Sequence, residues 1–174
     1  MHLTWTLWLH LIGAALLVGG GIMFGAVVMP TLRLLPEAQR ASYLAKIARR
    51  YANLAWLAIV LLLVTGLSQL ALNGYPIAAI IRPNLIPGPF GQTFGYKMLV
   101  FWVLVLVMVA EEIAAPLLRQ REQSAESTPA DFKPGELARA RRTNRLVNAS
   151  FGGVILLLAL AVLWFGVQLG RFGH

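Results

Sequence analysis

Cysteine is absent from the 174 residues, which excludes disulfides, thiolate metal sites and thiol catalysis. Charge is scarce as well. Only 13% of the residues are Asp, Glu, Lys or Arg, and residues 3–29 carry none of the four. No HExxH zinc site, phosphate loop or nucleophile–base constellation is present. What fills the chain instead is apolar: 58% of residues are hydrophobic and the mean hydropathy is +0.70. A soluble domain of this length could not hide so much apolar surface, so composition implies an integral membrane protein. The first apolar run lacks a basic n-region and is too long for a signal peptide, so it is expected to stay as a mature helix.

The net charge of +8 could suit nucleic acid, but its distribution says otherwise. Of the 15 Lys and Arg residues, five lie in residues 33–50 and seven in residues 119–145, between apolar runs. This is positive-inside patterning, and no nucleic-acid partner is expected. Four spans follow, at about 3–29, 54–72, 94–118 and 147–170. Pro30 and Pro36 stop a regular helix after the first; Asn73-Gly74-Tyr75-Pro76 stops the second; Thr93 is the expected N-cap of the third. The fold class expected is an all-α membrane protein: a four-transmembrane-helix antiparallel bundle in a bacterial cytoplasmic (inner) membrane. Its basic connections face the cytoplasm, and both termini face the outer, periplasmic side. Residues 119–135 read as a polar cytoplasmic linker. Residues 73–93, apolar and rich in proline, read as an ordered outer cap.

Within this frame the polar groups at membrane depth stand out. His10 lies roughly 10 Å in from the outer end of the first span. It shares a helix face with the small residues Gly13, Ala14, Gly21 and Gly25. Lys97 lies about one turn into the third span, which enters from the same side. Thr65, Ser68 and Gln69 sit near the outer end of the second span, and Trp164 and Gln168 near that of the fourth. An outer-leaflet pocket is therefore expected, with His10 as its metal ligand or proton-transfer group. The plain alternatives are a histidine bonded to a neighbouring helix, a lysine snorkelling to headgroups, structural glutamines, and glycines that pack helices closely. At the inner end, one of Glu111 and Glu112 is expected to pair with Arg49, Arg50 or Arg145.

Three stretches, WLHLIGAALLVGGGIMFGAVVMP, RRYANLAWLAIVLLLVTG and FGQTFGYKMLVFWVLVLV, resemble the copper-resistance protein D (CopD)-like membrane domain and its HemJ-type relatives, the protoporphyrinogen oxidases. HemJ-type proteins use a histidine in the first helix and a lysine early in a later one; His10 and Lys97 match by position. The third stretch reads GYKML with no histidine before the lysine, which places the chain nearer the CopD-like branch.

Three functions are compatible. In the first, the protein binds haem b or a porphyrin for electron transfer, with His10 as axial ligand, Lys97 on a propionate, and Gly13 and Gly21 leaving room for the macrocycle. The second axial ligand would be Met98, Lys97, a partner chain or an open position. In the second, it is an accessory structural subunit of a larger respiratory or photosynthetic membrane complex, or a homodimer in the bilayer. In the third, implied by the resemblance, it handles copper, although methionines are scattered in depth and cysteine is missing.

Overall fold

The computed structural model describes residues 2–127 and 134–171. It is all-helical, with no strand among the described residues. Four stretches are long and apolar enough to cross a membrane: Thr4–Arg33, Ser42–Leu72, Gly88–Ala114 and Gly152–Gly170. The first is α1 (His2–Met23), a π-helical turn at Phe24–Val28, and α2 (Met29–Arg33). The others belong to α3 (Glu37–Leu72), α4 (Gly88–Ser127) and α5 (Pro134–Gly170).

The first span does not stop at Pro30. Proline has no N–H to donate, and its ring crowds the carbonyl four residues back. The chain absorbs this by widening: the Met29 N–H reaches back to the Phe24 carbonyl, one residue further than in an α-helix, and helix resumes to Arg33. The end of α2 is then closed from outside. Arg40 Nε donates to the Leu32 carbonyl (3.1 Å), and its Nη2 donates to those of Arg33 (2.8 Å) and Leu35 (3.0 Å). The Arg33 carbonyl is one that a helix C-terminus leaves unpaired, the Leu32 carbonyl also accepts the Leu35 N–H (3.2 Å), and a cation there suits the helix dipole. Arg40→Ala is expected to lower stability by about 1–2 kcal/mol. Arg40→Lys should recover part of it, and an unchanged thermal midpoint for the alanine variant in detergent would contradict this capping role.

α3 ends in a Schellman motif. The Tyr75 N–H bonds to the Leu70 carbonyl (3.1 Å) and the Gly74 N–H to Ala71 (3.0 Å), with Gly74 at φ +78°. Two short 3-10 turns follow, Ile77–Ile80 and Pro83–Leu85. The connection packs its own core: Leu70, Ala79, Ile86 and Phe94 are buried, and Tyr75, Phe90, Met98 and Leu169 lean on them. α4 begins earlier than Thr93, at Gly88. Gly88 takes φ +82°, Pro89 needs no partner for a missing N–H in a first turn, and Thr93 is inside the helix with its hydroxyl on the Pro89 carbonyl (3.0 Å). At its far end α4 runs on to Ser127, so the first part of the polar segment expected as a linker is helical; residues 128–133 lie outside the described residues.

α1 and α3 run antiparallel. Thr6 meets Gln69, His10 meets Thr65, Gly13 meets Leu62, and Gly20 meets Tyr51. α4 pairs with α5, and α1 also touches α5. Between them lies one apolar core, built from Leu17 of α1, Ala55, Ala58 and Leu62 of α3, Phe101, Leu104 and Met108 of α4, and Ala159 of α5. The outward faces remain apolar and exposed, as lipid contact requires. Trp5, Trp8 and Trp164 are exposed among them.

Candidate functional site

The spacing of the core stripes decides which polar side chains look inward. On α4, Phe101, Leu104 and Met108 are buried, so the same stripe carries Lys97 four residues earlier and Glu111 three residues later. Glu111 is half-buried and the adjacent Glu112 exposed. On α3, Ala58 and Leu62 lead to Thr65, only 3% exposed. The interior therefore has polar groups at both ends of an apolar plug.

At the end nearer the proline-rich connection, α1 brings His10 against α3. His10 Nδ1 is 2.8 Å from Thr65 Oγ1, and the ring lies along Gly66, where an added Cβ would come 3.6 Å from Cε1. The Thr65 hydroxyl donates to the Leu61 carbonyl at 2.6 Å, with Leu62 at 3.3 Å. From α4, Lys97 extends toward α5: a Cβ at Gly166 would sit 3.6 Å from its Nζ. The ammonium is close enough to His10 for the two groups to interact electrostatically. No described carboxylate pairs with it. On α4 itself the nearest acid of the core stripe, Glu111, is about 21 Å further along.

The remaining sequence candidates fall into place around this pair. Gln69 donates from Nε2 to the backbone carbonyl of Thr6 (3.2 Å), tying the end of α3 to the start of α1. Met98 packs in the cluster of the connection. Gln168 is half-buried near the end of α5. Gly13 and Gly21 face protein. A Cβ at Gly13 would lie 3.1 Å from Leu62 Cγ; one at Gly21 would lie 3.2 Å from the Tyr51 hydroxyl and 3.3 Å from Leu156 Cδ1. At Gly13 and Gly21 the small-residue lane is thus filled by α3 and α5, in the close packing that such residues permit, while Gly25 is exposed with nothing within 4 Å of its Cβ position. An open groove of about 620 Å³ along Pro83, Asn84, Gln92, Tyr96 and Leu99 lies outside this cluster, and neither His10 nor Lys97 lines it.

At the opposite end Tyr51 stacks on Phe24 (ring centroids 5.3 Å apart) and directs its hydroxyl to the Leu17 carbonyl (3.4 Å). It interacts electrostatically with Glu111. Arg49 and Arg50, two of the partners expected for the glutamates, are exposed; the Arg145 side chain lies outside the described ones.

Tyr51 is the residue of the two ends hardest to see in the sequence, whereas Thr65 shows there as a polar residue near the outer end of the second span. A further signal for Thr65 is its place in the Ala58–Leu62 stripe, where a hydroxyl is out of keeping with its neighbours. Among the described residues no group of three or more His, Asp and Glu side chains converges as a metal cluster. The chain matches no family model, no curated protein and no solved structure.

Proposed function

We propose that this protein binds haem b or a closely related porphyrin and serves electron transfer in a bacterial inner membrane. In this reading the basic connections face the cytoplasm and the His10–Lys97 end faces outward, together with both termini. The observation that carries the proposal is the Lys97 ammonium, half-buried in an apolar bundle beside an imidazole and with no described carboxylate. A cation at membrane depth is costly unless something negative answers it. With no described carboxylate beside it, a bound ligand is a source of the answering charge. A porphyrin brings propionates for Lys97 and, as haem, an iron for His10.

The donor set fits this group in part. His10 is suited to be one axial ligand. Among the described residues of the four spans, no histidine other than His10 lies beside Lys97. Met98 is engaged with the connection. If haem is bound, His10 would hold its iron and Lys97 a propionate, and any further iron ligand would have to come from elsewhere. Gly13 and Gly21 act in helix packing, so the proposal rests on His10 and Lys97 rather than on the lane between them. Bound haem would supply one-electron redox chemistry; the protein's own part is to hold and orient it.

The test is the absorption spectrum of protein purified in detergent from haem-replete cells. A Soret band should be present in the wild type and fall to background in His10→Ala, with the variant still folded by circular dichroism. A colourless wild-type preparation under those conditions would overturn the proposal. Copper found at stoichiometric level in the same sample would favour the metal-handling alternative instead.

A further inference from the structure

We infer that Thr65 is a positioning residue that holds His10 in the tautomer protonated on Nδ1, so that Nε2 is the nitrogen left with a free lone pair. The argument is one of proton count. A threonine hydroxyl has one proton and two lone pairs. In a helix that proton goes to the carbonyl three or four residues back, and here Leu61 receives it at 2.6 Å. Toward His10 Nδ1, 2.8 Å away, Thr65 Oγ1 can then only accept. Nδ1 is therefore the donor, and a neutral imidazole has no second proton for Nε2. Histidine left to itself in water favours the proton on Nε2, so Thr65 reverses the intrinsic preference. At 3% exposure the hydroxyl meets no bulk water that could exchange for His10 as its partner.

The consequence is a ring whose ligand atom and plane are set before any ligand arrives, as a hydrogen bond to the second ring nitrogen does for metal-binding histidines generally. Use of Nε2 as an axial ligand rests on the porphyrin reading; the tautomer itself does not.

The experiment is nitrogen-15 NMR of histidine-labelled protein in detergent, without added haem and at alkaline pH. The His10→Gln spectrum identifies the His10 signals among the three histidines. The wild type should show a protonated Nδ1 and a pyridine-like Nε2. Thr65→Val keeps the shape but removes the acceptor, and should shift the population toward the Nε2-protonated form. Thr65→Ser should return the wild-type pattern, which a merely structural role for the side chain would not predict. A wild-type spectrum with the proton on Nε2, or a valine variant that keeps it on Nδ1, overturns the inference. Haem titration of the same proteins separates the two claims. If haem binds, Thr65→Val should weaken it about tenfold or more. If haem fails to bind while the tautomer shift is seen, the porphyrin reading falls and the role of Thr65 stands.

Discussion

Gly91→Ala is expected to be the most damaging conservative change in the chain. Gly91 is buried in the first turns of α4, under the Ile86 carbonyl, and a Cβ built on it would fall on that oxygen. Both partners in the clash are backbone, so no rotamer change can relieve it. Either the start of α4 or the Pro83–Leu85 turn must move, and with it the packing of Ile86 and Phe94 against Leu70 and Ala79. Overpacking commonly costs about 1–3 kcal/mol where side chains can adjust. Here the cost should reach at least about 3 kcal/mol, read as thermal unfolding in detergent. The damage should also appear as faster proteolysis of residues 73–87. Gly19→Ala is the control: nothing lies within 4 Å of its Cβ, it is inside α1, and the change should be neutral or stabilising by up to about 1 kcal/mol. Equal stability of the two variants would mean that the connection is not packed as described. Because Phe94 and Met98 belong to this cluster and bracket Lys97 on α4, loosening it should lower occupancy of the His10–Lys97 site as well.

The four spans were legible because lipid imposes a rule that sequence obeys openly: long runs without charge, punctuated by proline and glycine. Boundaries were less so. Pro30 reads as a stop, yet a π turn lets the helix pass it, because one added residue in the turn removes the clash without breaking the backbone hydrogen bonding. Thr93 reads as a cap, but the Gly88-Pro89 pair starts the helix sooner. His10 and Lys97 were visible as polar residues in apolar runs. Their surroundings were not, since helix-wheel spacing says which residues share a face and nothing about which helix covers it. Gly13 and Gly21 share the face of His10, and only the register of α3 shows Leu62 and Tyr51 filling the space above them. Glu111 and Glu112 could be separated by face only once the burial of Phe101, Leu104 and Met108 fixed the inward stripe. Thr65 was visible as a polar residue near the outer end of the second span, but its contact with His10 depends on the register of α1 against α3.

Lys97→Met should separate ligand-free stability from ligand affinity by moving them in opposite directions. In the protein without ligand, Lys97 holds an ammonium among apolar helices with no described carboxylate to answer it. Replacing it by an unbranched apolar side chain of similar length removes that desolvation cost and keeps the packing against Gly166. The ligand-free variant should be as stable as the wild type or more so, by about 1–3 kcal/mol. Binding should go the other way. A hydrogen bond between an ammonium and a propionate is worth about 1.5–3 kcal/mol, so haem affinity should fall about ten- to a hundredfold. Lys97→Arg keeps the charge and should retain most of the affinity. The pair of measurements is thermal unfolding of ligand-free protein and haem titration followed at the Soret band. A methionine variant that is less stable without ligand would show that the ammonium already has a partner, and the case for an anionic ligand would lose its foundation. A variant that is more stable and still binds haem at full strength would leave the porphyrin on His10 while removing Lys97 from the site.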